Sequence, residues 1–295
     1  MEKSNNVKYR LSVLNLTDLN VKISKGNGKI GKIFNVSTLP GDASHKPSTK
    51  KDGILTDVAG TCGGVCTDCH QFCYAFDSAR QYHSSCIPAW GGNTRILRED
   101  PERFFDEIDH ELTKRNHSKN KNVEKVEEFR INVSGELEHP SQLKSWVEIA
   151  KKHPETRFGI YTKRFSWVLE YLVQNTKFPD NFYLNASEWN HNLDPFMGQL
   201  EGKVNIFAYA DTLQEALTFK KKGYKMCRAI NYKGQHTGVL CDECGYCYGK
   251  EGICKVFVLD HSSAGRGRLS IEARQLEKDG KLQAVISELT PDPVL

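Results

Sequence analysis

The residues best equipped for chemistry in this sequence are its ten cysteines, at 62, 66, 69, 73 and 86 and again at 227, 241, 244, 247 and 254. A disulfide scaffold belongs to short secreted chains, and 295 residues is not short. Cysteines separated by two or three residues are also poorly placed to bridge one another. Metal binding is the better reading, because thiolates are the soft ligands that zinc and iron–sulfur clusters take.

In the first group, Cys62, Cys66 and Cys69 form Cys-x3-Cys-x2-Cys, and Cys73 follows. That spacing lets a short loop wrap three irons of a 4Fe-4S cubane and leaves the fourth iron open to another ligand. The same cysteines could hold structural zinc, which often uses two Cys-x2-Cys arms. His70 reads as a ligand or as an exposed loop residue, and Cys86 as a ligand or a buried thiol. In the second group, Cys241, Cys244, Cys247 and Cys254 form Cys-x2-Cys-x2-Cys-x6-Cys. Three cysteines at that interval resemble the ferredoxin run, although the last interval is longer here. Cys227 could replace Cys254 as the fourth ligand. Two iron–sulfur clusters are expected, with zinc as the alternative.

The elements that must position these groups follow from hydrophobic periodicity. Residues 32–36 read as a first strand, and residues 42–60 as a loop leading into the first cysteine group. Asp100-Pro101 has the form of a helix start, with Phe104, Phe105, Ile108 and Leu112 at helical spacing. Strands are then expected at 129–133, 157–162, 182–185, 204–208 and 224–230. Between them lie helices capped by Ser141, from 165 to 173, and from 212 to 222. Strict alternation argues for a parallel sheet with crossover helices. About six such units are countable, so the expected fold class is α/β, a partial (β/α)6-like barrel, with a doubly wound sheet as the alternative. This barrel would occupy residues 1–233 and carry the first cysteine group. Residues 234–295 would form a small C-terminal cysteine-rich module with a polar tail.

A net charge of +4, spread along the chain, gives a nucleic-acid partner no support. The absence of an apolar run of about 18 residues predicts no membrane span. Residues 1–10 lack an apolar signal core, so a cytoplasmic location is expected.

Several passages, in a specific order, resemble the phage gene product 88 family. They are residues 29–34, Thr61-Cys62 with Cys69, Cys73, Tyr74 and Ala75, then Arg130-Ile131-Asn132-Val133-Ser134-Gly135-Glu136, residues 158–163, and the later cysteine run toward Asp260-His261. That family looks akin to the radical S-adenosylmethionine (SAM) enzymes, whose partial barrel holds a cluster in the loop after its first strand. The resemblance implies SAM as a cofactor, cleaved reductively at the open iron, and an electron donor as partner. Radical SAM enzymes place a Gly-Gly-Glu segment at the end of the second strand, against the methionine amine. Ser134-Gly135-Glu136 occupies the matching place, a strand-end turn being the alternative. The family's spacing points to Cys62, Cys69 and Cys73 as ligands, with Cys66 an addition. Asp68 stands where an aromatic commonly precedes the last cysteine of the radical SAM triplet.

Three further segments close expected strands, where a βα barrel carries its site: Tyr161-Thr162-Lys163, Asn185-Ala186-Ser187 and Tyr209-Ala210-Asp211. Lys163 could meet a carboxylate or phosphate, Asn185 a cofactor, and Asp211 a ribose hydroxyl or the start of the next helix. Trp90, Trp146, Trp167 and Trp189 read as core or rim aromatics. The rival to an enzyme is a non-catalytic metal-binding phage protein, nucleic-acid-associated, with metal as a structural staple.

Overall fold

Runs such as Phe158-Gly159-Ile160 and Val256-Phe257-Val258-Leu259 are apolar on both faces, the pattern of a parallel strand covered on both sides. Phe158, Ile160, Phe257 and Leu259 are indeed fully buried. The computed structural model describes residues 7–27, 30–65, 69–70, 73–189 and 191–290. Cys66 and Asp68 lie outside these residues. The chain divides into two α/β units, one of residues 1–25 and 33–182, the other of residues 26–32 and 183–295.

Strands β1 (Ile23–Asn27) and β2 (Gly31–Val36) run through the boundary between the units. In the first unit β2 pairs in parallel with β5 (Glu128–Ile131), and β5 with β6 (Arg157–Thr162), in the register Phe34, Phe129, Phe158. The long connection from β2 to β5 contains a hairpin of β3 (Ser48–Thr49) and β4 (Gly53–Ile54). Helices α1 (Tyr74–Gln81), α2 (His83–Glu99) and α3 (Pro101–Asn116) follow it. Helix α4 (Pro140–Lys152) crosses from β5 to β6, and α5 (Phe165–Asn175) follows β6. Asp100 caps α3 by accepting from the Arg103 N–H at 3.2 Å, with Pro101 in the first turn. The core between these layers is aromatic. Trp146 of α4 lies 5.2 Å from Phe105 and 6.3 Å from Phe104, both edge-on, and 6.0 Å from Phe129.

In the second unit β7 (Phe182–Ser187), β8 (Asn205–Ala210), β10 (Lys255–Leu259) and β9 (Lys225–Met226) lie side by side in that order, all parallel. The helices are α6 (Met197–Leu200), α7 (Leu213–Lys221), α8 (Cys241–Cys244), α9 (Ser263–Lys278) and α10 (Leu282–Leu289).

Several expectations change. Residues 42–60 are not wholly irregular, since they hold the β3–β4 hairpin. His139, not Ser141, caps α4: its Nδ1 accepts from the Ser141 N–H at 3.2 Å. The strand expected at 224–230 is only Lys225–Met226. Residues 234–295 do not stand apart as a module after Lys233. β10 inserts between β8 and β9, and the tail forms two helices that bury Leu269, Ala273 and Leu289. Among the described residues, no helix is long and apolar enough to cross a membrane.

Trp146 is 2 % exposed and joins α3, α4 and β5. Trp146→Ala should lower the unfolding free energy by about 3–5 kcal/mol, read from urea denaturation. A loss below about 1 kcal/mol would show that this aromatic cluster is not the core of the first unit.

Candidate metal and cofactor sites

In the first unit the carboxyl ends of β2, β5 and β6 converge on the first cysteine loop. Thr38, two residues past β2, hydrogen-bonds the Thr61 hydroxyl at 2.8 Å, and the Thr61 N–H donates to Leu39 O at 2.9 Å. Next to it the Cys62 N–H donates to Gly41 O at 2.7 Å. Two arginines hold this loop from the flanks. Arg98 donates to Ala59 O and Gly60 O at 2.8 and 2.9 Å and pairs with Glu138, while Arg164 donates to Gly63 O and to Leu137 O. The Tyr74 hydroxyl, just after Cys73, donates to Val133 O.

Segment 134–136 is tied to the same loop. The Glu136 N–H donates to Thr61 Oγ1 at 2.9 Å. The Glu136 carboxylate is buried and accepts from Leu137 N–H (2.8 Å), the Thr162 hydroxyl (2.7 Å) and Lys163 N–H (2.9 Å). Gly135 has φ +89°, and a Cβ there would stand 1.9 Å from Thr38 Oγ1. Glycine is required for that close approach, which here is to protein. Ser134 is buried beside it, and its N–H donates to Ser37 Oγ at 3.3 Å.

Cys62, Cys69, Cys73, Glu136 and Lys163 lie within electrostatic reach of one another. Burial, then the Glu136 charge, then Cys73, push the Cys62 thiol far above its ordinary range. Burial and Cys69 also raise Cys73. Burial opposes the Lys163 ammonium, yet Cys69, Glu136, Cys62 and Cys73 together hold its pKa above the usual value. Such thiols stay protonated until a cation arrives to take the thiolate. None of the nine described cysteines is in a disulfide, and Cys86 is a half-buried thiol on α2.

His70 is not the exposed loop residue that one reading allowed. Both its ring nitrogens are buried without a hydrogen-bond partner, and burial lowers its pKa. Among the described residues, two sets of three donors bring their ligand atoms within 4.8 Å of one another: Asp42, His45 and His70, and Glu188, His191 and Asp194. Among the described residues, neither cysteine group is such a set.

The second cysteine group lies in the connection from β9 to β10, at the amino ends of β8 and β10. Cys241 and Cys244 share the single turn of α8, which ends at Gly245 with φ +64°. Two buried amides on neighbouring strands anchor the rest. Asn185 of β7 donates to Cys247 O at 3.1 Å, and Asn205 of β8 donates to Asn185 Oδ1 at 3.2 Å and accepts from Cys254 N–H at 2.9 Å. Asn185 therefore sits within β7 and serves the second cysteine group. The Cys254 sulfur faces Tyr246 O at 3.3 Å, and burial pushes its thiol up to about 11. Lys225 and Arg228 lie over the Tyr246 ring at 5.0 and 4.3 Å, and both pair with Glu251. The Cys227 N–H donates to Phe257 O at 2.8 Å.

At the carboxyl end of β7, a cavity of about 320 Å³ is lined by Glu188, His191, Asp194, Lys222, Tyr224 and Lys255. Burial, and then the Asp194 charge, raise the Glu188 pKa. Asp211 caps nothing itself. Its N–H donates to Glu215, its carboxylate lies 3.7 Å from Arg268, and Thr212 caps α7. The Asp42 and Glu188 clusters were missed in the sequence. Glu188, His191 and Asp194 are spaced by three, which is the only signal they offered.

The profile of the gene product 88 family matches residues 18–250. No curated protein matches the chain. Among solved structures, a thiamine phosphate pyrophosphorylase from Pyrococcus furiosus is similar at 12 % identity, over 56 % of this chain and 84 % of that one, with a TM-score of 0.25.

Cys254 supplies a pH test of this geometry. In metal-free protein its alkylation rate, followed by mass spectrometry, should rise with a midpoint near pH 11, against 9.0 for an ordinary thiol. At pH 9 it should therefore react roughly fifty-fold more slowly than a free cysteine of equal access. A midpoint at or below 9.0 would contradict the burial described.

Proposed function

This chain belongs to the gene product 88 family, and we propose that it is an iron–sulfur protein with two cluster sites, the first being that of a radical SAM-type enzyme. The observation that carries the reading is the grouping of Cys62, Cys69 and Cys73 with Lys163 and Glu136 beyond the carboxyl ends of three parallel strands. Parallel α/β folds, including the partial (β/α)6-like barrel expected from the sequence, carry their chemistry at those ends.

The residues fit the group. Cys62, Cys69 and Cys73, with Cys66 as a further candidate, would hold the first cluster. Cys62, Cys69 and Cys73 are half-buried soft donors beside an ammonium that offsets part of their charge. When bound, the reduced cluster and SAM supply the radical chemistry. The protein's part is to position. Arg98 and Arg164 immobilise the cysteine loop by its carbonyls. A carboxylate has about four acceptor sites, and Glu136 uses three on Leu137, Thr162 and Lys163, which leaves one for the cofactor's ammonium. Lys163 would meet the cofactor's carboxylate. An electron donor completes the cycle, and a reducing cytoplasm suits such clusters.

Cys241, Cys244, Cys247 and Cys254 would hold the second cluster. Cys254 adjoins the amino end of β10, the end associated with stability, so that cluster would staple the β9–β10 connection. A second reading, a non-catalytic phage or mobile-element metal protein, is favoured by one observation. The place of a side chain at Gly135 is filled by Thr38, and three protein donors already serve the Glu136 carboxylate.

Anaerobically purified protein should contain iron and acid-labile sulfide for two clusters, and replacing Cys241, Cys244 and Cys247 with Ala should halve both. Stoichiometric zinc without sulfide would sink the reading, and loss of all iron from a folded variant would mean one shared site.

Glu136→Gln should weaken SAM binding about ten- to a hundred-fold, the cost of losing a charged hydrogen-bond partner, while the cluster's own spectrum stays unchanged. Calorimetry on reconstituted protein reads this directly. Equal affinity in both proteins would return residues 134–136 to a strand-end turn.

A further inference from the structure

We propose that Asp42, His45 and His70 form a mononuclear divalent-metal site of the two-histidine, one-carboxylate type, separate from the thiolate ligands. One ligand atom from each residue lies within 4.8 Å of the others, and the two imidazole rings are 4.9 Å apart. His70 supplies the second, independent observation. Both of its ring nitrogens are shut off from solvent, and neither has a hydrogen-bond partner. An imidazole always has at least one N–H to donate, and in its neutral form also one lone pair. Desolvated nitrogens without partners are rare in native proteins, and each calls for an explanation. A metal ion taking the lone pair accounts for one of the two nitrogens. Phe76 stands edge-on to the His70 ring at 6.3 Å, so this flank offers no polar substitute.

The other two donors are already turned toward His70. The Asp42 carboxylate is oriented by the Ser44 and His45 N–H groups, both at 2.8 Å, and the Asp42 N–H closes the turn on His45 O at 3.2 Å. The His45 Nδ1 lies 3.3 Å from the same carboxylate oxygen. Gly41, with φ +82°, sets the chain direction and accepts from the Cys62 N–H, so the turn is fixed to the cysteine loop. The His45 side chain is 55 % exposed, which gives an ion a way in. Two imidazoles and one carboxylate suit zinc, ferrous iron, cobalt or nickel, and three protein ligands leave positions open for water or a substrate oxygen. The site shares no ligand with the proposed clusters and stands whether or not the thiols carry iron and sulfide.

The test is a titration of the full chain, stripped of metal and kept anaerobic and reduced, with cobalt(II) alone as the probe. The parent should bind one equivalent with ligand-field bands of nitrogen and oxygen coordination, apart from any equivalent with thiolate charge-transfer bands. Outer ligand partners alone are worth ten- to a hundred-fold in affinity, so His70→Ala and Asp42→Asn should each weaken the first equivalent more than about tenfold and spare the thiolate bands. His45→Ala, at an exposed position, should do the same without disturbing the fold, as read by circular dichroism. An unchanged titration in His45→Ala would overturn the proposal. So would joint loss of both kinds of band, which would assign the histidines to the thiolate site. Sulfide analysis of untreated protein tests the cluster reading separately.

Discussion

A carboxylate removed from water stays charged only if donors replace the hydration that it loses. Glu136 is such a group, and its needs organise the first unit. Its carboxylate takes the N–H of Lys163 and the hydroxyl of Thr162 at the end of β6, while its own N–H is held by Thr61 beside Cys62. One residue thus fixes the end of β6, the turn after β5 and the start of the cysteine loop. The glycine before it must be a glycine because Thr38 occupies the place of a side chain. Lys163 follows from the same contact. Its N–H is spent on Glu136, and its ammonium lies within electrostatic reach of the sulfurs.

The second unit solves its problem with amides in place of a charge. Asn185 and Asn205 sit on adjacent strands, bond one another, and hold Cys247 by its carbonyl and Cys254 by its N–H. In each unit the cysteine loop is positioned by polar groups rooted in parallel strands. Rigid elements thereby set where the sulfurs can go. The two groups sit at opposite kinds of strand end within their own units. Under the proposed function, that difference, and not their spacing, would separate a cluster placed for chemistry from one placed for stability.

Much of this was legible in the sequence, and the rest was hidden for physical reasons. The strands at 157–162 and 182–187 announce themselves because buried parallel strands are apolar on both faces. Helix α2 was missed because Pro88, Gly91 and Gly92 lie inside it. Gly91 is there because Leu11 packs where its side chain would be. β10 was missed because the cysteine insertion separates it from β9 and interrupts the alternation. The cysteines, Glu136 and Lys163 could be nominated from motif and strand end. The pairing of Glu136 with Thr162 could not, since it depends on the register of β5 against β6. Asn185 was nominated as a cofactor ligand, yet its amide turns to Cys247. Asp42 and His45 are scattered polar loop residues with no periodicity to mark them.

The central claim, that the first cysteine group holds a cluster with an iron open to SAM, is tested most directly by electron paramagnetic resonance of the dithionite-reduced protein before and after SAM is added. The variant lacking Cys241, Cys244 and Cys247 isolates the first site for this measurement. The account predicts a reduced-cluster signal whose g-values shift when SAM coordinates the open iron. A cluster signal that SAM leaves unchanged, or no paramagnetic signal at all, would contradict it.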